Sequence, residues 1–173
     1  MSDDRVPPAG PPLEFDESAF FTGPDLTDEL ISEAENRLGV RLPASYLDLL
    51  RRRNGGAPIR SCYPTPFPTS WADDHIDIGA ILGLGGPWGI DTPGPLSSAA
   101  QIPEWGYPPI GVVICSTPSG GHDTVMLDYS VGGPEPAVVY VDEDRIPRRI
   151  AATFDEFLAN LTDCETFEAD QAR

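Results

Sequence analysis

Lysine is absent from this chain: its eleven basic residues are all Arg, set against 28 Asp and Glu, for a formal charge of −17 over 173 residues. Without lysine there is no Schiff-base chemistry and no Walker A loop. A surface this acidic repels phosphate backbones, which argues against nucleic acid as a partner. Histidine is scarce, with two residues, and so is cysteine, with Cys62, Cys115 and Cys164 widely spaced. An odd, dispersed set of thiols does not describe a disulfide framework, so reduced cysteines and a cytoplasmic location are expected. No run nears the roughly 18 consecutive apolar residues of a membrane span, and Met1-Ser2-Asp3-Asp4 does not open a signal peptide. Asn160-Leu161-Thr162 has the form of a glycosylation acceptor, but without a secretory signal it carries no weight.

Proline and glycine, by contrast, are plentiful at 20 and 17 residues. That is too many for a helical bundle and suits a loop-rich α+β domain. Residues 1–25 hold five Pro and one Arg against six acids. Such a segment buries little, so a mobile, Pro-rich acidic tail is expected, with Phe15, Phe20 and Phe21 able to dock locally. Residues 162–173, with one Arg and four acids, read as a second acidic tail. Between them, residues 26–161 carry nine Arg and eighteen acids, so the folded part shares the acidity.

That central part opens with two helices. Thr27 is placed to cap the first, Asp28 and Glu29 favour its positive end, and Leu30, Ile31, Ala34 and Leu38 form one stripe. Gly39 stops it. Pro43, at a first helical position, starts the second helix, whose buried side is Tyr46, Leu47, Leu49 and Leu50. Arg51-Arg52-Arg53 in its last turn complement the helix dipole, and Asn54-Gly55-Gly56 ends it. Strands are expected over 76–82, 110–115, 124–129 and 137–141, the last three as an antiparallel meander. Thr153-x-x-Glu156 then forms a capping box for a closing helix bearing Phe154, Phe157, Leu158 and Leu161 on one face.

Within Trp71-Ala72-Asp73-Asp74-His75-Ile76-Asp77, an extended backbone points Asp73, His75 and Asp77 to one side, a set that suits a divalent cation. With His122-Asp123 it would supply a hydrolytic metal site. The plainer reading has these Asp end loops and each His make a single hydrogen bond. Cys115 ends an apolar strand, where a thiol behaves as a small hydrophobe. Gly83-Leu84-Gly85-Gly86-Pro87-Trp88-Gly89 lacks the third glycine of a dinucleotide loop, and Pro87 interrupts its helix. Trp71, Trp88 and Trp105 lie in Pro/Gly-rich connections, where a Trp either anchors on the core or meets a partner.

Taken in order, Glu35-Asn36-Arg37-Leu38-Gly39-Val40-Arg41-Leu42-Pro43-Ala44-Ser45-Tyr46, Asn54-Gly55-Gly56, Ser70-Trp71-Ala72-Asp73-Asp74-His75-Ile76, Glu104-Trp105-Gly106-Tyr107-Pro108, Ser119-Gly120-Gly121-His122-Asp123, Leu127-Asp128-Tyr129, Pro136-Ala137-Val138-Val139-Tyr140-Val141-Asp142 and Phe154-x-x-Phe157-Leu158 resemble the Smi1/Knr4 (SUKH) superfamily in its bacterial branch. The resemblance spans residues 26–161. It departs at 83–100, a Gly/Pro/Ser-rich stretch in place of a better-patterned segment. It implies an α+β fold with two N-terminal helices, an antiparallel sheet of four to six strands and a closing C-terminal helix. It implies no established catalytic site, and neither a metal nor a cofactor is expected. Many bacterial members are immunity proteins that bind a cognate toxin, often a nuclease, and fungal relatives are regulatory interaction proteins.

The expectation is therefore a cytoplasmic, non-catalytic binder of a basic toxin domain, without a nucleic-acid or membrane partner. An acidic surface speeds encounter with a cationic groove. The candidate contacts are Trp71, Asp73, Asp74, His75, Asp77, Trp88, Glu104, Trp105, His122 and Asp123. A regulatory interaction module is the alternative, and a metal-dependent hydrolase using Asp73, His75, Asp77, His122 and Asp123 comes third.

Overall fold

A computed structural model describes residues 13–18, 20–70, 72–133 and 135–167. The chain runs α1 (Asp28–Leu38), α2 (Ala44–Arg52), β1 (Cys62–Pro64), β2 (His75–Asp77), β3 (Ala80–Ile81), α3 (Ser98–Trp105), β4 (Gly111–Ser116), β5 (Thr124–Asp128), β6 (Ala137–Val141), β7 (Pro147–Ala151) and α4 (Phe154–Asn160). β3 to β7 form one antiparallel sheet in sequential order, and β1 pairs with β2 in a separate ribbon. This is the expected α+β architecture. No helix among the described residues is long and apolar enough to cross a membrane.

Side-chain alternation gives the sheet two apolar faces. Val112, Ile114, Val125, Leu127, Val138 and Tyr140 share one core with α1, α2 and α4, whereas Val113, Met126, Val139 and Val141 meet Tyr107 and Ile102 at the α3 side. Half of the capping box of α4 forms as read, the Thr153 hydroxyl accepting from Glu156 N, while the Glu156 carboxylate reaches one residue further back and accepts from Ala152 N instead of Thr153 N. Phe154 and Phe157 below it are fully buried, packing edge-on against Tyr46 and stacked on Tyr63 respectively. Gly39, at φ 72°, donates its N–H to Glu35 O and closes α1 in a conformation that other residues reach only at a cost.

Several expectations need correction. The single strand over 76–82 is two, because the chain crosses at Gly79 from the ribbon to the main sheet: Ile78 N bonds Ser61 O, and Gly79 N bonds Ser116 O. Pro43 stands one residue outside α2, as its N-cap. α3 starts inside the end of the Gly/Pro-rich stretch, at Ser98, and runs beyond it to close at Gly106 with φ 73°.

The expected tails are also partly packed. Leu13 is buried, Phe15 bridges to Pro58, and Phe21 lies against the core. Arg53, expected to serve the dipole of α2, lies beyond its end and clamps that segment. Its guanidinium donates to the carbonyls of Asp16 and Ser18 and lies over the Phe15 ring at 5.4 Å. Residues 1–12 lie outside the described set. At the other end, Thr162 exchanges both backbone hydrogen bonds with Cys62, and Phe167 is buried against the His75 ring at 4.2 Å. The expectation of three reduced thiols fails as well. Cys62 and Cys164 form a disulfide across 102 residues, and only Cys115 is free, buried in β4.

Candidate partner-binding surface

Three loops converge at one end of the sheet: 69–74 before β2, 117–123 between β4 and β5, and 142–146 between β6 and β7. Asp123 ties them together. It is buried, and its Oδ1 accepts hydrogen bonds from the hydroxyls of Thr117 and Ser119, both at 2.6 Å. Its Oδ2 accepts the phenol of Tyr140, also at 2.6 Å. The Tyr140 oxygen in turn accepts from Ser70 N, and the Ser70 hydroxyl bonds the Asp142 carboxylate. One chain of polar contacts therefore connects all three loops. Burial, and then the hydrogen bond to anionic Asp123, push the Tyr140 phenol far above its ordinary pKa.

Arg145 secures the same end from the side. At φ 60° it turns its guanidinium back to donate to the carbonyls of His122 and Asp142, and it lies 4.9 Å over the Tyr107 ring. Tyr107 donates to Gly121 O at 2.7 Å. Burial raises its pKa to about 12, with Arg145 opposing and Asp123 assisting. Gly121 is required where it stands, since a Cβ there would lie 2.4 Å from the Trp105 indole and its φ is 111°. Beside this contact opens a cleft of about 270 Å³ lined by Leu96, Glu104, Trp105, Tyr107 and Thr117.

Four of the candidates thus sit together. Glu104 and Trp105 end α3, with Trp105 37% exposed, while His122 points outward towards Glu143 at 3.7 Å and Asp123 anchors the loops from below. Trp105 stands on a helix and not, as expected, in a connection. Asp73 and Asp74 are exposed on the neighbouring 69–74 loop. His75 is half-buried, its Nδ1 2.8 Å from Asp74 and its ring on Phe167. Asp77 is half-buried on β2, and desolvation raises its pKa, with His75 pulling it down and Asp123 pushing it up. Trp88 lies apart from them, in an aromatic cluster with Phe20 and Phe21. Trp71 falls outside the described residues.

Both oxygens of Asp123 accept hydrogen bonds from hydroxyl donors, so its carboxylate is engaged in holding the loops. The five residues of the hydrolase reading do not assemble into a ligand set among the described residues, where the group that does is Cys62, Asp77 and Cys164. Two essential parts were missed in the sequence. Arg145 and Tyr140 hold the loops, and the sequence placed Tyr140 only within the strand over 137–141.

A model of the SMI1 / KNR4 family (SUKH-1) matches residues 25–160. The chain belongs to that family. Its matched region starts three residues before α1 and ends with α4, so the SUKH-1 domain carries the five-stranded sheet, α1 to α4 and all three loops of the candidate surface. No curated protein and no solved structure matches the chain.

Proposed function

We propose that this SUKH-1 protein is a non-catalytic immunity protein that binds a toxin domain of basic surface, a nuclease being the best-fitting class, and blocks it stoichiometrically in the cytoplasm. The observation that carries the reading is the acidic loop end. Asp73, Asp74, Asp142, Glu143 and Asp144 come from separate loops, yet the chain Asp123–Tyr140–Ser70–Asp142 holds those loops in register. Asp144 is partly offset by Arg148 at 2.6 Å, which also lowers its pKa. Of the others on this rim, Asp74 pairs with His75 and Glu143 faces His122.

A rigid acidic rim beside an accessible Trp matches how binding energy is distributed at interfaces. Charges steer the encounter and set specificity, and a few aromatic anchors supply the affinity. Neither nucleic acid nor a membrane surface suits this charge. Co-expression with the toxin candidate encoded beside the gene, followed by pull-down, tests the proposal. A toxin lethal alone, tolerated with this protein and captured one to one supports it. A partner captured one to one but harmless alone reassigns the protein to a regulatory interaction module.

A further inference from the structure

We propose that Cys62, Asp77 and Cys164 form a redox-controlled site for a borderline-soft divalent cation of the zinc type, filled when the thiols are reduced and closed when they are joined. Cys62 Sγ, Cys164 Sγ and a carboxylate oxygen of Asp77 all lie within 4.8 Å of one another. Three separate pieces of backbone hold them there. Cys62 and Asp77 are directly opposed across the β1–β2 ribbon, and Cys164 arrives on the segment that Thr162 pins to Cys62 by two hydrogen bonds. The Cα atoms of the cysteines are 5.1 Å apart.

The donor set decides the metal. Two thiolates and one carboxylate suit zinc, whose bonds to sulfur and oxygen are about 2.3 Å and 2.0–2.2 Å, and three protein ligands leave a fourth, open position. Tetrahedral bonds of that length place two sulfurs roughly 3.8 Å apart. The disulfide therefore excludes the metal, and its opening makes room. Among the described residues no side-chain hydrogen bond occupies the Asp77 carboxylate, and its oxygen lies with the two sulfurs. The Ser61 hydroxyl, 3.2 Å from Cys164 Sγ, is positioned to donate to the thiolate.

The balance is simple. A dithiol reductant gives two electrons and two protons to the Cys62–Cys164 bond, leaving two thiols and a cyclic disulfide in the reductant. The incoming cation then displaces the two thiol protons. In the reducing cytoplasm proposed above, reduction converts the disulfide of this structure into the dithiol that the cation needs.

Cobalt(II) titration of the full chain, with and without prior reduction, tests this. We expect one cobalt per reduced chain with a thiolate-to-cobalt charge-transfer band, and neither in the disulfide form. Zinc should bleach the band. Asp77→Asn should weaken the metal at least tenfold, and Cys164→Ser should abolish the charge-transfer intensity, with circular dichroism checking that each variant is folded. A reduced wild-type protein that leaves cobalt as the free aquo ion would overturn the proposal. So would a band that survives Cys164→Ser unchanged, or an Asp77→Asn affinity equal to wild type.

Discussion

The face of the central sheet beneath α4 and the loop end of that sheet are built on different physics. Beneath α4, Phe154, Phe157 and Leu161 press on Val112, Val125, Leu127 and Val138 in a dry core whose cohesion is additive and tolerant of direction. At the loop end, Asp123, Tyr140, Ser70 and Asp142 form a chain in which each member satisfies the next. Removing a core residue leaves a hole. Removing a member of the chain leaves a buried polar atom without a partner and frees a loop. Stability is concentrated in the first region and the shape of the acidic surface in the second.

The comparison breaks most visibly at Phe157. Truncation to Ala should cost about 3–5 kcal/mol, because the fully buried ring packs on both Tyr63 and Phe154. In a chain of this length that lowers the melting temperature by roughly 6–20 °C in a calorimetric scan. An unchanged melting curve would show that α4 is not part of the core.

Alkaline pH strikes both regions together. All five tyrosines are raised above the ordinary value of 10.0, led in each case by burial. In the unfolded chain they lose protons near 10, while in the folded chain Tyr107 holds its proton to about 12. Their contribution is thus complete below pH 10 and is lost as pH rises from there towards 12 and beyond. Tyrosinate absorbance at about pH 11 should therefore be small in native protein and jump on unfolding. Ordinary titration in the native state would contradict the burial described here.

A smaller and more local effect is expected from Tyr140→Phe. The ring still fills its place, but Asp123 Oδ2 loses its donor and Ser70 N its acceptor, at a cost of about 1.5–3 kcal/mol. If the network only stabilises, partner affinity should follow stability alone. If it shapes the rim, affinity falls at temperatures where the variant is fully folded, as titration calorimetry would show. Asp74→Asn is the mildest change, shifting stability by no more than about 0.5 kcal/mol at an exposed site. It should slow association with a basic partner, more so at low salt, in stopped-flow mixing.

Local chemistry made α1, α2, α4 and the meander of β4, β5 and β6 legible: a Thr cap, a capping box, apolar stripes at helical spacing and runs of Val. What stayed hidden depended on partners far away in the chain. β7 carries Arg148 and Arg149, so its alternation is disguised, and it is a strand because β6 offers it an edge. α3 is short and holds Pro103, and its place follows from the sheet face beneath it. In the site, the acids and the exposed Trp105 could be named from the sequence. The hydrogen bonds that gather them, and the meeting of Cys62 with Cys164, join positions that no spacing rule connects.

That cystine also alters the connectivity of the molecule. In the oxidised form, everything from Cys62 to Cys164 is a covalent ring that holds the five-stranded sheet, α3 and α4, with α1 and α2 outside it as a handle. The exposed hairpin at Val131-Gly132-Gly133 is then a place where a protease can cut without parting the pieces. A nicked chain would migrate as a single species on a non-reducing gel and as two on a reducing one. For such a molecule, backbone cleavage and loss of structure become separate events.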